Sequence, residues 1–205
     1  MLRSLRFKSL PSTQTRARAL AEAGARAWTV VRADRQTHGR GRMDRSFSSG
    51  NGGLYFTVIL RPRLRPTGLA RFSLRTGRLL SKTLSALSGE KTKVKPPNDV
   101  LALCPDGRWR KICGILIEAS GGQKSLDWVL VGIGINLNNR LPASLPEAAS
   151  LRSISCGKIG KEKFYREILK TLRKSWGTDY RTGPRNRLVA QGSRTETVAG
   201  VALSR

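Results

Sequence analysis

The alternation of hydrophobic and polar positions divides the first sixty residues into a helix, two strands and a long loop. A helix is predicted to follow the capping residue Ser12 and to end at Gly24. Short apolar runs predict strands over 28–33 and 54–60. The segment between them, 34–53, is polar and rich in glycine. A loop of this length in a compact domain is usually functional or disordered.

The middle of the chain alternates between helical and strand periodicity. Apolar residues recur with a helical period over 68–87 and again over 161–180. Three strands are predicted between these helices, over 94–103, 111–119 and 128–137, and short turns connect them. Strands that are joined by short turns pair antiparallel. We therefore predict an α/β (α+β) fold, with a mixed, largely antiparallel sheet flanked by helices.

The segment 181–205 differs from the preceding 180 residues. Only two short strands are predicted in it, over 187–190 and 197–202. Two strands alone cannot bury a core. The segment is therefore either a fragment of a small β module or a part that packs on the main domain. We divide the chain into a main domain, 1–180, and a truncated C-terminal β segment, 181–205.

The chain is strongly basic, with 39 lysines and arginines against 13 acidic residues and a net charge of +26. This charge favours anionic partners such as nucleotide phosphates, nucleic acid, acidic proteins or a membrane surface. The basic residues are spread along the whole chain, so a general excess of arginine explains them equally well. No apolar run reaches the length of a membrane span, and we expect no membrane partner.

Cysteine and histidine usage argues against a structural zinc site. The three cysteines form no Cys-x-x-Cys pair, and the chain has a single histidine. Scattered cysteines are typical of reduced thiols in a cytoplasmic protein. Residues 1–18 lack acidic side chains, as transit peptides do. A ligand-binding assignment for Ser12, Thr13 and Gln14, given below, argues against that interpretation.

The loop that starts at Gln36 combines glycines with arginines, as Gly39-Arg40-Gly41-Arg42. Glycines let backbone amides approach a ligand closely, and clusters of such amides suit anions. The arginines add bidentate contacts to phosphate or carboxylate. Similar segments bind RNA while disordered. The position between two strands of a folded domain favours a ligand-binding loop instead.

Two further segments carry charged or polar residues next to predicted strands. Asn98 and Asp99 follow two prolines, and Asp99 could ligate Mg²⁺ beside a nucleotide. A proline turn with a capping residue explains the same segment without a ligand. Lys111 stands at the mouth of a strongly apolar strand, where it could meet a carboxylate or phosphate. The alternative is an ordinary lysine at a strand edge.

Glycines at alternate positions mark the last predicted strand. Gly132 and Gly134 lie two residues apart and are followed by Asn136. Since alternate residues of a strand share one face, this spacing indicates that something flat or bulky passes closely over that face.

In combination and in this order, the four segments resemble the biotin–protein ligase family. That family carries a GRGRxGRxW loop, a KWPND segment, a KxxGIL strand and a GIGIN strand. The resemblance extends from about Leu10 to Tyr180. It implies a fold like that of class II synthetases and biotin–lipoate ligases, with a partial SH3-like β module at the C-terminus. It also implies that ATP activates biotin to biotinyl-adenylate, and that biotin is then transferred to a lysine of a carboxylase carrier domain.

The resemblance assigns a role to each matching residue. Lys111, Arg40 and Arg42 are implied as catalytic residues that hold the carboxyl group and the phosphate, with Asp99 as the Mg²⁺ ligand. The implied substrate-binding set is Ser12, Thr13, Gln14, Gln36, Gly39, Arg40, Gly41, Arg42, Lys111 and Gly114. The implied nucleotide-binding set is Arg45, Phe47, Asn98, Asp99 and Asn136.

The chain departs from the family pattern at four positions. Asp44 replaces a glycine, Phe47 and Pro96 replace tryptophans, and Gln14 replaces an asparagine. A side chain at position 44 would cost local fit if the loop needs left-handed backbone angles there. An enzyme of reduced activity is therefore one alternative.

Two other functions stay open from the sequence. The first is that of a lipoate ligase or octanoyltransferase, since these enzymes have the same general fold as the biotin–protein ligases. The second is that of a nucleic-acid-binding module, in which the positive charge of the chain would bind the phosphates. Aromatic residues make up only 6% of the chain, which counts against stacking on single strands. The expected partners are biotin, ATP and the carrier domain. Some members of the family bind DNA through an N-terminal winged helix. We expect no such domain here and therefore no specific binding of DNA. A homodimer and a cytoplasmic location complete the expectations.

Overall fold

The strands form one mixed sheet in the computed structural model, which describes residues 2–43, 45–62, 64–176, 195–198 and 201–204. The strands are β1 (Arg3–Leu10), β2 (Thr29–Gln36), β3 (Leu54–Leu60), β4 (Thr92–Lys95), β5 (Asp99–Leu103), β6 (Trp109–Gly121), β7 (Leu126–Ile135), β8 (Thr195–Val198) and β9 (Val201–Ser204). The helices are α1 (Thr13–Glu22), α2 (Leu69–Ser88), α3 (Leu151–Ile154) and α4 (Lys161–Trp176). A short 3₁₀ turn (Pro66–Gly68) precedes α2.

The sheet is largely antiparallel, as predicted. Its main path runs in the order β1-β2-β3-β7-β6-β5-β4. Only β1 and β2 pair in parallel along this path, because α1 connects them as a crossover. The predicted fold class, a mixed sheet flanked by helices, is therefore confirmed.

The predicted single strand over 94–103 is wrong. Two strands, β4 and β5, occupy this stretch and pair antiparallel, with Lys95 opposite Asp99. The two prolines cannot donate to a strand ladder, so the chain turns at them. This turn places Asn98 and Asp99 at the start of β5, beside β6.

Two elements were missed in the sequence. The first is β1, an edge strand whose residues are mostly exposed and which therefore shows little apolar alternation. The second is α3, which is only one turn long. A helix this short leaves no periodic signal.

The C-terminal segment contributes the strands β8 and β9. They pair with each other, and β9 also pairs in parallel with β6, from Ile117 to Ser120. The segment predicted as a single strand over 197–202 therefore contributes residues to two strands, the end of β8 and the start of β9. The strand predicted over 187–190 lies outside the described residues. The division of the chain at residue 180 stays a prediction.

The two faces of the sheet are covered differently. Helices α2 and α4 pack on one face and bury the larger apolar cluster, with Phe72, Leu80, Ile168 and Trp176 among its members. The smaller cluster lies on the other face, under α1. It consists of Ala17, Ala21, Val31, Ile59, Trp128 and Leu130. Helix α1 is thereby fixed over β3 and β7, and its N-terminus overlies the glycines of β7.

An ion pair between a buried arginine and a half-exposed glutamate attaches α4 to the sheet. The Arg32 side chain in β2 is only 3% exposed and contacts both carboxylate oxygens of Glu162, one of them at 2.9 Å. The guanidinium carbon also lies 4.4 Å from the centre of the Tyr165 ring. The hydrogen bond from Arg32 lowers the pKa of the Glu162 carboxyl. Among the described residues, no helix has both the length and the apolar character to cross a bilayer.

Candidate functional site

A cleft lies on the face of the sheet that α1 covers. Its walls are the N-terminus of α1, the loop between β2 and β3, the start of β5, and the strands β6 and β7. The lining residues are Ser12, Thr13, Gln14, Gln36, Arg40, Gly41, Arg42, Met43, Arg45, Ser46, Phe47, Asn98, Asp99, Lys111, Gly114, Ile115, Leu116, Gly132, Ile133 and Gly134. The four sequence segments that suggested a ligand site are thus brought together.

Neutral polar groups line the end of the cleft at the N-terminus of α1. Ser12 caps the helix, and its Oγ accepts a hydrogen bond from the Gln14 backbone nitrogen at 3.2 Å. The Gln14 Oε1 accepts from the Thr57 hydroxyl at 3.1 Å, whereas its Nε2 is buried without a hydrogen-bond partner. A buried amide without a partner is costly, so this nitrogen is suited to an acceptor in the cleft.

Gln36 connects the walls of this end. Its Oε1 accepts hydrogen bonds from the Thr13 backbone nitrogen at 2.7 Å and from the Thr13 hydroxyl at 3.0 Å. Its Nε2 donates to the Ser49 hydroxyl at 2.8 Å. Gln36 therefore holds the loop and α1 together, while a direct contact with a ligand stays a prediction.

The floor of the cleft is made of glycines over which large side chains pass. A Cβ atom on Gly132 would lie 2.5 Å from the Gln14 Oε1, and one on Gly134 would lie 2.6 Å from Cε1 of Phe47. The Phe47 ring also covers Gly114, where a Cβ would lie 3.0 Å from Cε2. The close approach predicted from the alternate glycines of β7 is therefore confirmed.

Charged groups line the other end of the cleft, beside Gly114. The Nζ of Lys111 lies 2.7 Å from the Oδ1 of Asp99. A guanidinium nitrogen of Arg42 donates to the Asn98 Oδ1 at 3.2 Å, and the Asn98 side chain donates to the Ile115 carbonyl at 3.0 Å. Asp99 pairs with Gly114 across β5 and β6, so its side chain shares the face of the cleft. These groups could bind a carboxylate or a phosphate.

Arg40 lies apart from Arg42 and Lys111. Its guanidinium contacts the buried carboxylate of Glu118 at 3.4 Å, and Arg18 contacts the same carboxylate at 2.8 Å. Glu118 stands four residues after Gly114 in β6, which is roughly 13 Å along the strand. All three cations predicted to act together line the cleft, but Lys111 and Arg42 contact residues at the start of β5, whereas Arg40 contacts Glu118.

The remaining predicted residues support the loop or lie deeper in the fold. Gly39 accepts from the Phe47 backbone nitrogen at 2.8 Å, and Gly41 donates to the Arg45 carbonyl at 2.7 Å. Asn136 is not among the lining residues, because its side chain is buried and accepts from Asn139 at 3.1 Å. Its predicted contact with adenine stays a prediction.

Three of the four departures from the family pattern can be placed, and one cannot. Gln14 lies at the neutral end of the cleft, as described above. Asp44 lies outside the described residues. Its neighbour Met43 has a left-handed backbone angle, with φ 52°. Pro96 is exposed in the turn between β4 and β5 and does not line the cleft. Phe47 lines the cleft and covers Gly114 and Gly134.

A metal ion would find few protein ligands here. Within the part of the chain that the structure describes, no group of three or more histidine, cysteine or acidic side chains is suited to a metal. Asp99 offers one carboxylate at the charged end, and Lys111 already contacts it. Magnesium is often held by one or two carboxylates together with substrate phosphates, so this arrangement fits an ion that arrives with a nucleotide.

Sequence reasoning missed Glu118, Arg18, Thr57 and Ser49. Glu118 had a detectable signal, because a carboxylate inside an otherwise apolar strand is rarely left unpaired. The hydroxyl groups of Thr57 and Ser49 had none, since such residues are common in strands and loops.

Comparison with known proteins agrees with this geometry. The sequence profile of the biotin/lipoate A/B protein ligase family matches residues 6–136. The bifunctional ligase/repressor BirA of Bacillus subtilis is 34% identical over 178 residues, which are 84% of this chain and 53% of that protein. The biotin–[acetyl-CoA-carboxylase] ligase of Paracoccus denitrificans is 33% identical over 127 residues, which are 61% of this chain and 48% of that protein.

Solved structures show the same fold. The biotin protein ligase of Aquifex aeolicus in complex with biotin and ATP is 30% identical, has a TM-score of 0.70, and is matched over 86% of this chain and 71% of its own. The chain spans about half the length of the curated relatives it matches. The chain therefore belongs to the biotin/lipoate A/B protein ligase family, with the fold of the biotin protein ligase catalytic domain.

Proposed function

We propose that the chain activates biotin with ATP to biotinyl-adenylate and transfers biotin to a lysine of a carrier domain. One observation carries the proposal. The cleft has neutral donors at one end and cations at the other, with a glycine floor between them. Biotin has the same polarity, with a neutral ureido ring at one end and a carboxylate at the other.

The neutral end suits the ureido ring of biotin. A hydroxyl group at Ser12 and the Nε2 of Gln14 can both donate to the ureido oxygen. Gln14 and Ser12 are both buried and fixed at the start of α1. The ring would therefore bind without much rearrangement of these side chains, which favours affinity.

The charged end suits the reacting groups. In the first step an oxygen of the biotin carboxylate attacks the α-phosphorus of ATP, and the bond from that phosphorus to the pyrophosphate oxygen breaks. The bonding electrons leave with pyrophosphate. Lys111 and Arg42 would hold the carboxylate and the phosphate and neutralise the growing charge, and their positions beside Asp99 and Asn98 support this role. No tuned base is required, because the carboxylate is already ionised.

Nucleotide binding is assigned to the same end. Phe47 offers a ring face over Gly134 and Gly114, with Arg45, Asn98 and Asn136 as the further predicted contacts. Asp99 would hold Mg²⁺ together with the phosphates. The ion, when bound, neutralises phosphate charge.

In the second step the amine of the carrier lysine attacks the carbonyl carbon of the adenylate. An amide bond forms, the bond to AMP breaks, and the amine loses a proton. The Paracoccus denitrificans relative is named for acetyl-CoA carboxylase, which supports a carboxylase carrier as the acceptor. The cations around the cleft would favour the neutral, nucleophilic form of the incoming lysine.

Pyrophosphate release with purified protein tests the proposal. We expect release that requires both biotin and ATP, with losses of about 100-fold or more in Lys111→Ala and Arg42→Ala. Lipoate and octanoate serve as competing substrates, and we expect neither to replace biotin. Folded protein that gives no release, and no rise in melting temperature with biotin, would contradict the proposal.

A further inference from the structure

Glu118 is a buried carboxylate that the reaction described above does not use. Its side chain is 1% exposed, and it stands in the apolar strand β6. A buried carboxylate is stable only when it is paired. Arg18 and Arg40 supply the pairing, at 2.8 Å and 3.4 Å. We call these three residues the Glu118 triad.

The triad connects three walls of the cleft. Arg18 belongs to α1 and follows Gln14 by one helical turn, on the same face of the helix. Arg40 belongs to the loop between β2 and β3, and Glu118 to β6. The carboxylate therefore attaches the arginine-containing part of the loop to α1 and β6, in addition to the attachment through Gln36.

The two ion pairs are unequal. Arg18 lies closer to the carboxylate and its side chain is 21% exposed, whereas that of Arg40 is 40% exposed. Arg18 therefore neutralises Glu118 even when Arg40 moves. The longer Arg40 contact can form and break without leaving a bare charge inside the sheet.

We propose that Glu118 is a positioning residue, which holds Arg40 and thereby fixes the Gly39–Arg42 loop over the cleft. Glu118 is not among the lining residues and is not expected to touch substrate. With Arg40 held there, the loop presents Arg42 to Asn98 at the charged end. This inference rests on the proposed ligase function and names the group that orders its loop.

Two measurements test the role of Glu118. Trypsin cleavage after Arg42 and Arg45 in the ligand-free chain, located by mass spectrometry of the fragments, reports how well the loop is held. Steady-state kinetics then separate KM for biotin from kcat. The Glu118→Gln variant should speed loop cleavage and raise KM for biotin by about three- to tenfold, with a smaller change in kcat.

A combination of variants distinguishes an effect through Arg40 from a general loss of structure. In an Arg40→Ala background, Glu118→Gln should not speed loop cleavage further and should raise KM for biotin less than in the parent background, because the contact with Arg40 is already absent and only that with Arg18 is lost. Compared with Arg40→Ala, the Arg40→Lys variant should have a rate of loop cleavage and a KM for biotin that are closer to those of the parent protein. The matched control is Glu162→Gln, which breaks another pair with a buried arginine but lies on α4, away from the cleft. It should leave both values unchanged.

Each outcome decides between the alternatives. Equal losses from Glu118→Gln in both backgrounds, or no change in the parent background, would overturn the positioning role. If Glu118→Gln does not fold, Arg40→Met takes its place, and unchanged loop cleavage in that variant would overturn the proposal. If the parent protein releases no pyrophosphate, the ligase function fails, while loop cleavage still tests the attachment.

Discussion

The ε-amino nitrogen of Lys111 lies 2.7 Å from the Oδ1 of Asp99, although the two residues come from different strands. The pair joins the strand that carries the predicted catalytic lysine to the segment that carries the predicted metal ligand. It also gives Asp99 two roles that can be separated. One is to orient Lys111, and the other is to bind Mg²⁺ beside the nucleotide.

Changing Asp99 should alter the metal requirement of the reaction. We predict that Asp99→Asn raises the Mg²⁺ concentration for half-maximal pyrophosphate release several-fold, because a neutral amide is a weaker ligand for a hard cation. Lys111→Ala should lower kcat by about 100-fold or more and leave the Mg²⁺ requirement unchanged. Magnesium titrations of both variants measure this. An unchanged requirement in Asp99→Asn would assign Asp99 to the orientation of Lys111 alone.

Substitution of two glycines of β7 should weaken the binding of different substrates. Gly132→Ala would place a Cβ 2.5 Å from the Gln14 Oε1, and Gly134→Ala would place one 2.6 Å from the Phe47 ring. Overpacking of this kind costs about 1–3 kcal/mol, which is roughly five- to 150-fold in affinity. We predict a higher KM for biotin in the first variant and a higher KM for ATP in the second.

The control for the glycine variants is Gly122→Ala, since an added Cβ there meets nothing within 4 Å. It should leave both KM values unchanged. If Gly132→Ala and Gly134→Ala change the two KM values alike, the assignment of the two ends of the cleft is wrong.

Acid should destabilise the fold through Glu162. The pKa of this carboxyl is lowered from its ordinary value of 4.5 by the hydrogen bond from Arg32. A carboxyl whose pKa is lower in the folded than in the unfolded state stabilises the fold above the unfolded value. This contribution is lost as the pH falls from the unfolded pKa through the folded one.

Urea unfolding between pH 7 and pH 3 measures the effect of Glu162. We predict that Glu162→Gln lowers the free energy of unfolding at neutral pH by about 1–2 kcal/mol, a value reduced by the half-exposed position of Glu162. The loss of stability below pH 4.5 should be smaller in the variant than in the parent protein. If the free energy of unfolding falls with pH in the same way in the two proteins, the pair of Arg32 and Glu162 does not contribute to the acid sensitivity of the fold.

The three thiols should differ in reactivity. Cys113 is buried in β6, and burial raises the pKa of its thiol to about 12. Cys104 is also buried, whereas Cys156 is exposed. Because the thiolate is the reactive form, we predict that iodoacetamide at pH 8 modifies Cys156 first in the native protein. All three should react in urea, and rapid native modification of Cys113 would contradict the buried position of β6.

Sequence patterns predicted the elements whose burial is regular. The strand over 54–60 is buried throughout and α4 has one continuous apolar face, so both were predicted nearly as observed. The edge strand β1 was missed because most of its side chains are exposed and leave no alternation. The strand over 94–103 was predicted as one element because the two prolines were interpreted as a strand entry instead of a turn.

The sequence predicted which residues line the cleft but not which side chains contact each other. Short motifs identified the residues around the cleft, because each places a distinctive residue type next to a strand or loop. Arg40 and Arg42 are two positions apart, yet one contacts Glu118 and the other Asn98. Pairings of this kind depend on the path of a loop and on contacts between distant parts of the chain. Local patterns do not encode them.

Direct detection of biotinyl-adenylate tests the central claim most directly. Purified protein is incubated with biotin and Mg-ATP, and the bound small molecules are identified by mass spectrometry. We predict biotinyl-adenylate in about one equivalent per active site in the parent protein and almost none in Lys111→Ala, with no adenylate from lipoate or octanoate. Folded protein that forms no biotinyl-adenylate, or that forms the lipoyl adenylate equally well, would contradict the account.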